Sequence, residues 1–164
     1  FNNTDGNFDV SFNYYPGPDG TYMSIDAASL HVNGTTNIIY PLLGDPDFDE
    51  TTQIATPTFD VTKVDIQTLV NEGGNVFTLY MEYTATIRGG EDSPSDLAGW
   101  YYSSYTDDDG NEFTNVVTQF QATDARSAFP CFDEPAFKAT FDITFIAPAG
   151  DNMVYLSNND VVDF

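Results

Sequence analysis

Val76-Phe77-Thr78-Leu79-Tyr80-Met81-Glu82-Tyr83-Thr84-Ala85-Thr86-Ile87 alternates without a break. Successive side chains of a strand point to opposite sides. One face therefore carries Phe77, Leu79, Met81, Tyr83, Ala85 and Ile87, and the other Val76, Thr78, Tyr80, Glu82, Thr84 and Thr86. A period of two held this long predicts a strand with one buried face.

The same pattern recurs on both sides. Upstream, Phe8 to Phe12, Tyr22 to Val32, Asn37 to Leu43 and Ile54 to Val70 (with Phe59, Val61, Val64 and Ile66) read as extended. They are separated by turn signals at Pro16 to Gly20, Asn33-Gly34, the acidic run Asp45-Pro46-Asp47-Phe48-Asp49-Glu50, and Gly73-Gly74. Downstream, a polar loop over 89–98 leads to Trp100–Tyr105 and Phe113–Gln121, which flank Asp109-Gly110 and form a predicted hairpin. Ala139 to Ile146 and Met153 to Ser157 are the last predicted strands, with Pro148-Ala149-Gly150 as the turn between them. About nine short strands joined by turns predict an all-β fold, an antiparallel β-sandwich or large twisted sheet, as a single domain over residues 1–164. Its expected core includes Phe77, Leu79, Met81, Tyr83, Phe141, Ile143 and Phe145.

Composition agrees. The 164 residues include 14 Phe and 10 Tyr, enough for one domain with a sizeable core and too few for two. No apolar run is long enough to span a membrane as a helix. The chain starts at Phe1 without Met or a leader-like run and reads as a processed or truncated piece. Its net charge of −22 opposes binding to nucleic acid or to anionic membranes, both of which need Lys and Arg. Calcium or cationic ligands would suit such a charge, but a solvated acidic surface is the plainer account, because Asp is concentrated where turns call for it.

The chemistry-bearing residues are few. His31 is the single histidine and Cys131 the single cysteine. A zinc peptidase centre needs three protein ligands and a base, and a Ser-His-Asp triad would have to use His31 with no nucleophile motif nearby. No catalytic and no metal-ligating residue is assigned. Asp107-Asp108-Asp109-Gly110-Asn111-Glu112 misses the calcium-loop pattern, since placing Gly110 sixth puts Tyr105 first and Val116 last. It reads as a hairpin loop. Cys131, between Pro130 and Phe132, reads as a small buried side chain. The sequons Asn2-Asn3-Thr4 and Asn33-Gly34-Thr35 carry no inference about secretion.

One stretch is ordered for more than folding: TQFQATDARSAFPCFDEPAFKATF, Thr118 to Phe141. Strand alternation turns Phe120 toward the core and Gln119 and Gln121 toward an open surface. Thr123 or Asp124 is positioned to cap a short helical turn through Ala125, Arg126 and Ser127, which Pro130 ends. Arg126 among Asp124, Asp133 and Glu134 is expected to pair with a carboxylate or with turn carbonyls, a structural role.

This stretch resembles the signature near the end of the N-terminal domain of zinc aminopeptidases of the aminopeptidase N type. The carrying residues are Thr118-Gln119-Phe120-Gln121, Thr123-Asp124-Ala125-Arg126, Ala128-Phe129-Pro130-Cys131-Phe132-Asp133-Glu134-Pro135 and Lys138-Ala139-Thr140-Phe141. Weaker likenesses are Gly99 to Tyr105 to a G-x-Y-x-S-x-Y strand, Leu156-Ser157-Asn158 to an L-S-N close, and Ile25-Asp26-Ala27 with Leu30 to an early strand. The family's G-x-M-E-N loop and H-E-x-x-H zinc helix have no counterpart in these residues.

The resemblance implies a β-domain packed beside the catalytic domain of the same polypeptide, which would hold Zn2+ and remove N-terminal residues from peptides. This chain itself would bind no zinc and be inactive alone. It implies that Gln121 helps hold the substrate's free α-amino group, that Gln119 lines the pocket for the first side chain, and that the Gln121–Ala122 bond is cis. Relatives preferring acidic substrates carry Asp at the Gln119 position and use calcium there, so Gln implies a neutral or broad preference. The implied setting is an extracellular or membrane-anchored ectoenzyme, with the cytoplasm as the other possibility. A different class of reading is a non-catalytic β-sandwich binding or adhesion module, contacting glycan or protein through Trp100, Tyr101 and Tyr102.

Overall fold

Strand β3 (Met23–Asn33) is the spine of the structure, a computed structural model that describes residues 7–17, 20–34, 37–60, 68, 73–89, 97–147 and 153–160. β3 pairs antiparallel with β4 (Ile38–Pro41) on one side and β8 (Val76–Ala85) on the other. Its alternation changes phase once. Met23 is buried and Ile25 half-buried, then Ala28, Leu30 and Val32 are buried. The register shift lies between Ile25 and Ala27, so Asp26 is the extra residue of a β-bulge. Its carboxylate is satisfied by the hydroxyls of Ser24 (2.8 Å) and Thr84 (2.7 Å), which donate to it.

Across the β3–β8 ladder, Ala28 faces Met81, Leu30 faces Leu79 and Val32 faces Phe77. Val10, Ala28, Leu30, Val32, Tyr40 and Phe59 form the buried cluster, against which Phe77, Leu79 and Met81 pack half-buried. Each fully buried large side chain stabilises the fold by about 2 kcal/mol.

Among the described residues the remaining strands form three small sheets. β1 (Asn7–Asp9) pairs with β7 (Thr58–Asp60), and an isolated bridge from Leu42 to Phe59 ties that pair to the end of β4. β2 (Phe12–Asn13) and β5 (Asp47–Asp49) flank β6 (Ile54–Thr56). β9 (Arg88–Gly89) and β11 (Glu112–Gln119) flank β10 (Gly99–Thr106), β9 in parallel and β11 as the predicted hairpin partner. The chain is thus all-β and mainly antiparallel, as expected.

Several details differ from the sequence-based expectation. The run Phe8 to Phe12 is split between β1 and β2. The acidic segment 45–50 contains strand β5, because the period of two persists through it: Asp47 and Asp49 face water while Phe48 is half-buried, its ring 4.8 Å from that of Tyr14. The chain turns one step later, where Asp49 Oδ1 accepts from the backbone N–H of Thr51 at 2.8 Å. Of the extended reading through Val70, Val61, Val64 and Ile66 lie outside the described residues, and Thr68 is helical. The first sequon, Thr35 of the second, most of the loop over 89–98, and the Pro148 turn also lie outside them.

The largest correction concerns the segments from Ala139 to Ile146 and Met153 to Ser157. Neither forms a strand, and Phe141 is 67% exposed, with Ile143 and Phe145 also exposed. Alternation marks two chemically distinct faces, but a face is buried only where another layer covers it. Among the described residues these side chains stay largely exposed while meeting other rings, Phe141 with Phe129 at 6.3 Å and Phe145 with Tyr155 at 6.0 Å. Tyr83, expected in the core, is likewise exposed near the end of β8.

Candidate functional site

β11 delivers Gln119 as its last residue, fully paired up to that point, with Gln119 opposite Gly99. The chain then turns over 121–124 and enters a 3-10 turn, Ala125–Ser127. Gln119 and Gln121 are both exposed, and the Gln121 N–H points to Gln119 Oε1 at a long 3.5 Å. Phe120, between them, is half-buried with its ring edge-on to Phe129 at 5.7 Å. The Gln121–Ala122 peptide bond is cis.

The turn is closed by its backbone. Asp124 N–H donates to Phe120 O at 3.0 Å, Ser127 N–H to Asp124 O at 3.1 Å, and Ala128 N–H to Ala125 O at 2.8 Å. Asp124 occupies the N-cap position but makes no side-chain cap, contrary to the expectation of Thr123 or Asp124 as a capping side chain. Gly99 permits the close approach of β10. It has φ +68°, and a Cβ there would lie 2.6 Å from Ser127 Cβ.

Arg126 holds this turn to the rest of the fold, as its expected pairing required. Its Nε donates to Asp133 Oδ2 at 2.9 Å, with the two side chains only 12% and 10% exposed. Its Nη2 donates to Asp133 O at 3.3 Å, and its Nη1 to Thr52 O and Gln53 Oε1, both at 3.4 Å. Two residues of this arrangement were not singled out from the sequence. Asn13 is buried. Its Oδ1 accepts from Asp133 N–H at 3.2 Å, and its backbone exchanges two hydrogen bonds with Cys131, at 2.7 and 2.9 Å. Alternation puts Asn13 in phase with the polar Asp9 and Ser11, so nothing in the sequence signalled its burial. Gln53, at φ +56°, left no signal of its own.

Cys131 is half-buried, not the buried side chain expected, because a shallow hollow beside it is open to solvent. Partial burial and then the Asp133 carboxylate push its thiol up to about 12, and Arg126 opposes. The thiol stays protonated at neutral pH and is a poor nucleophile. The hollow, of about 220 Å³, is lined by Phe129, Phe132, Phe137, Phe141 and Glu134 among others. A second, of about 260 Å³, lies between Tyr83, Trp100 and Ser127. Neither Gln119 nor Gln121 is among the residues lining these two hollows.

His31 is half-buried in β3, its Nε2 at 2.8 Å from Ser29 Oγ. Among the described residues no group of three or more His, Cys, Asp or Glu could hold a metal ion. The loop 107–111 is a hairpin turn in which Asp107 Oδ1 accepts from the N–H of Asp109 (3.0 Å) and Asn111 (2.8 Å). Trp100, Tyr101 and Tyr102 are half-buried on β10, the middle strand of its sheet. Among the described residues no helix is long and apolar enough to cross a membrane.

Against known proteins, the family model for the Peptidase M1 N-terminal domain matches residues 4–163. The chain is 59% identical over 63 residues to aminopeptidase N of Canis lupus familiaris, a match covering 38% of this chain and 6% of that protein. It is 62% identical over 78 residues to aminopeptidase Ey of Gallus gallus, covering 46% and 7%. With membrane alanyl aminopeptidase of Heliothis virescens it shares 47% over 77 residues, covering 46% and 7%. The matched stretch is thus under a tenth of each relative's length. A family match across almost the whole chain places it plainly: this chain belongs to the Peptidase M1 N-terminal domain family.

Proposed function

We propose that this chain is the N-terminal β-domain of an ectoenzyme aminopeptidase and that Gln121, beside Gln119, registers the free amino group of the peptide. The supporting observation is the placement of two exposed amides at the end of β11, immediately before a turn held by Arg126 and Asp133. An amide oxygen accepts a hydrogen bond from an ammonium, and an internal peptide bond offers no such cation at that point. A site built to pair with the ammonium therefore favours substrates with a free N-terminus. Gln119, uncharged, suits a neutral or broad first side chain.

Hydrolysis on this reading is the work of the catalytic domain of the same polypeptide. The described residues do not fit a zinc site, and His31 is engaged with Ser29. Neighbouring-domain contact is consistent with the exposed apolar segments after Pro135. An extracellular or membrane-anchored setting is suggested by the insect relative, which is named a membrane enzyme.

The test is Gln121→Ala and Gln121→Glu in the full-length polypeptide, assayed on aminoacyl anilides. Loss of one hydrogen bond to a cation should raise KM roughly tenfold for Ala, with Glu retaining wild-type KM or lowering it. An unchanged KM for Gln121→Ala rejects the anchor role.

A further inference from the structure

We infer that Arg126 is a positioning residue for Gln121, working as a two-sided clamp that Asn13 completes; this rests on the anchor reading above. Arg126 reaches in opposite directions. Nε and Nη2 hold Asp133, on the far side of the signature stretch, while Nη1 holds Thr52 O and Gln53 Oε1 in a turn more than 70 residues earlier. The Arg126 carbonyl accepts from Tyr15 N–H at 2.9 Å, so its backbone is fixed as well.

Asn13 links the two segments that Arg126 grips, the stretch 131–133 and the Thr52–Gln53 turn. Its Oδ1 takes the Asp133 N–H, its Nδ2 donates to Gln53 O at 3.5 Å, and its main chain pairs with Cys131. The Gln53 backbone is itself committed, donating to Asp49 O at 2.8 Å and accepting from Tyr14 N–H at 3.2 Å. Between this clamp and Gln121 lies only the turn 121–125, closed by Asp124 N–H to Phe120 O. With so short a connection, displacement of Arg126 moves the origin of Gln121. An amide that must meet an ammonium within hydrogen-bond geometry loses the contact after a shift of about 1 Å.

The planar fork makes Arg hard to replace. A lysine ammonium keeps the charge beside Asp133 but is a single point that cannot also hold the Thr52–Gln53 turn. The test is a double-mutant cycle in the full-length polypeptide. It combines Arg126→Lys, and Arg126→Gln where it folds, with Gln121→Ala, reading KM and kcat on aminoacyl anilides. Arg126→Lys is expected to raise KM roughly fivefold with kcat nearly unchanged, and to add less than about twofold once Gln121 is already Ala.

Equal KM effects in both backgrounds would overturn the positioning role, since Arg126 would not be acting through Gln121. So would a lowered melting temperature with KM unchanged, which marks Arg126 as structural only. A raised KM for Gln121→Ala beside a silent Arg126→Lys overturns the clamp and leaves the anchor. A silent Gln121→Ala overturns both.

Discussion

Arg126 Nε and Asp133 Oδ2 meet at 2.9 Å with both side chains almost withdrawn from water, inside the one stretch that carries the family signature. Breaking such a pair from one side leaves the other charge buried and uncompensated. Arg126→Gln should therefore destabilise the chain by about 3 kcal/mol. Urea unfolding followed by tryptophan fluorescence measures it. A loss below about 1 kcal/mol, the range of exposed pairs, would mean the pair is solvated in solution.

The position of the core gives the second prediction. Phe59 is fully buried in the β3–β4–β8 cluster, and Phe141 is mostly exposed. Phe59→Ala should cost about 3–5 kcal/mol, and Phe141→Ala should stay within about 0.5 kcal/mol. Matched urea titrations of the two variants settle the order. A Phe141 loss as large as that of Phe59 would restore the strand face expected from alternation.

That pair of residues also shows what was legible in the sequence. β3, β8 and the β10–β11 hairpin could be read because alternation and turn residues agreed, and each found a pairing strand: β8 lies on β3, and β10 and β11 on each other. Ala139 to Ile146 alternates as cleanly, yet alternation says nothing about whether a covering layer exists. β5 was hidden because Asp counts as a turn former, while its outward position in a strand satisfies it equally well. At the site, the surface placement of Gln119 and Gln121 and the pairing of Arg126 were readable locally. Which carboxylate Arg126 would choose was not, nor that Asn13 and Gln53 would close around it, because those contacts depend on how distant segments are brought together.

Asp26 offers a test of the bulge in β3. Hydrogen bonds from Thr84, and then Ser24, hold its carboxyl below the ordinary 3.8. A depressed folded pKa contributes stability above the unfolded value, and that contribution is lost as pH falls through the folded one. NMR titration should place the Asp26 midpoint below 3.8, and Thr84→Val should move it upward. A midpoint that ignores Thr84→Val would show that the bulge does not hold this carboxylate in solution.

Cys131 should be slow to alkylate. Its thiol is pushed up to about 12, first by burial and then by Asp133, so the folded state favours the protonated form. This contribution to stability is complete below the unfolded thiol's pKa and fades as pH rises toward 12. At pH 8 iodoacetamide should modify the native chain at least roughly tenfold more slowly than the urea-unfolded chain, because the thiolate is the nucleophile. Equal rates by mass spectrometry would place the thiol in open solvent.

Two glycines separate backbone conformation from close packing. At Gly110, φ +84°, an added Cβ would meet nothing within 4 Å, whereas at Gly99, φ +68°, it would meet Ser127 Cβ at 2.6 Å and Asp124 O at 3.3 Å. Both substitutions to Ala incur the left-handed backbone penalty of about 1–2 kcal/mol. Only Gly99→Ala also forces β10 away from the 3-10 turn, adding about 1–3 kcal/mol of overpacking. Gly110→Ala should therefore be mild and Gly99→Ala clearly worse, by a margin that thermal unfolding resolves. The displaced element is the turn that follows Gln121, so on the anchor reading Gly99→Ala should also raise KM in the full-length polypeptide while Gly110→Ala leaves it alone. Equal destabilisation by the two variants would show that β10 and the turn are not in tight contact.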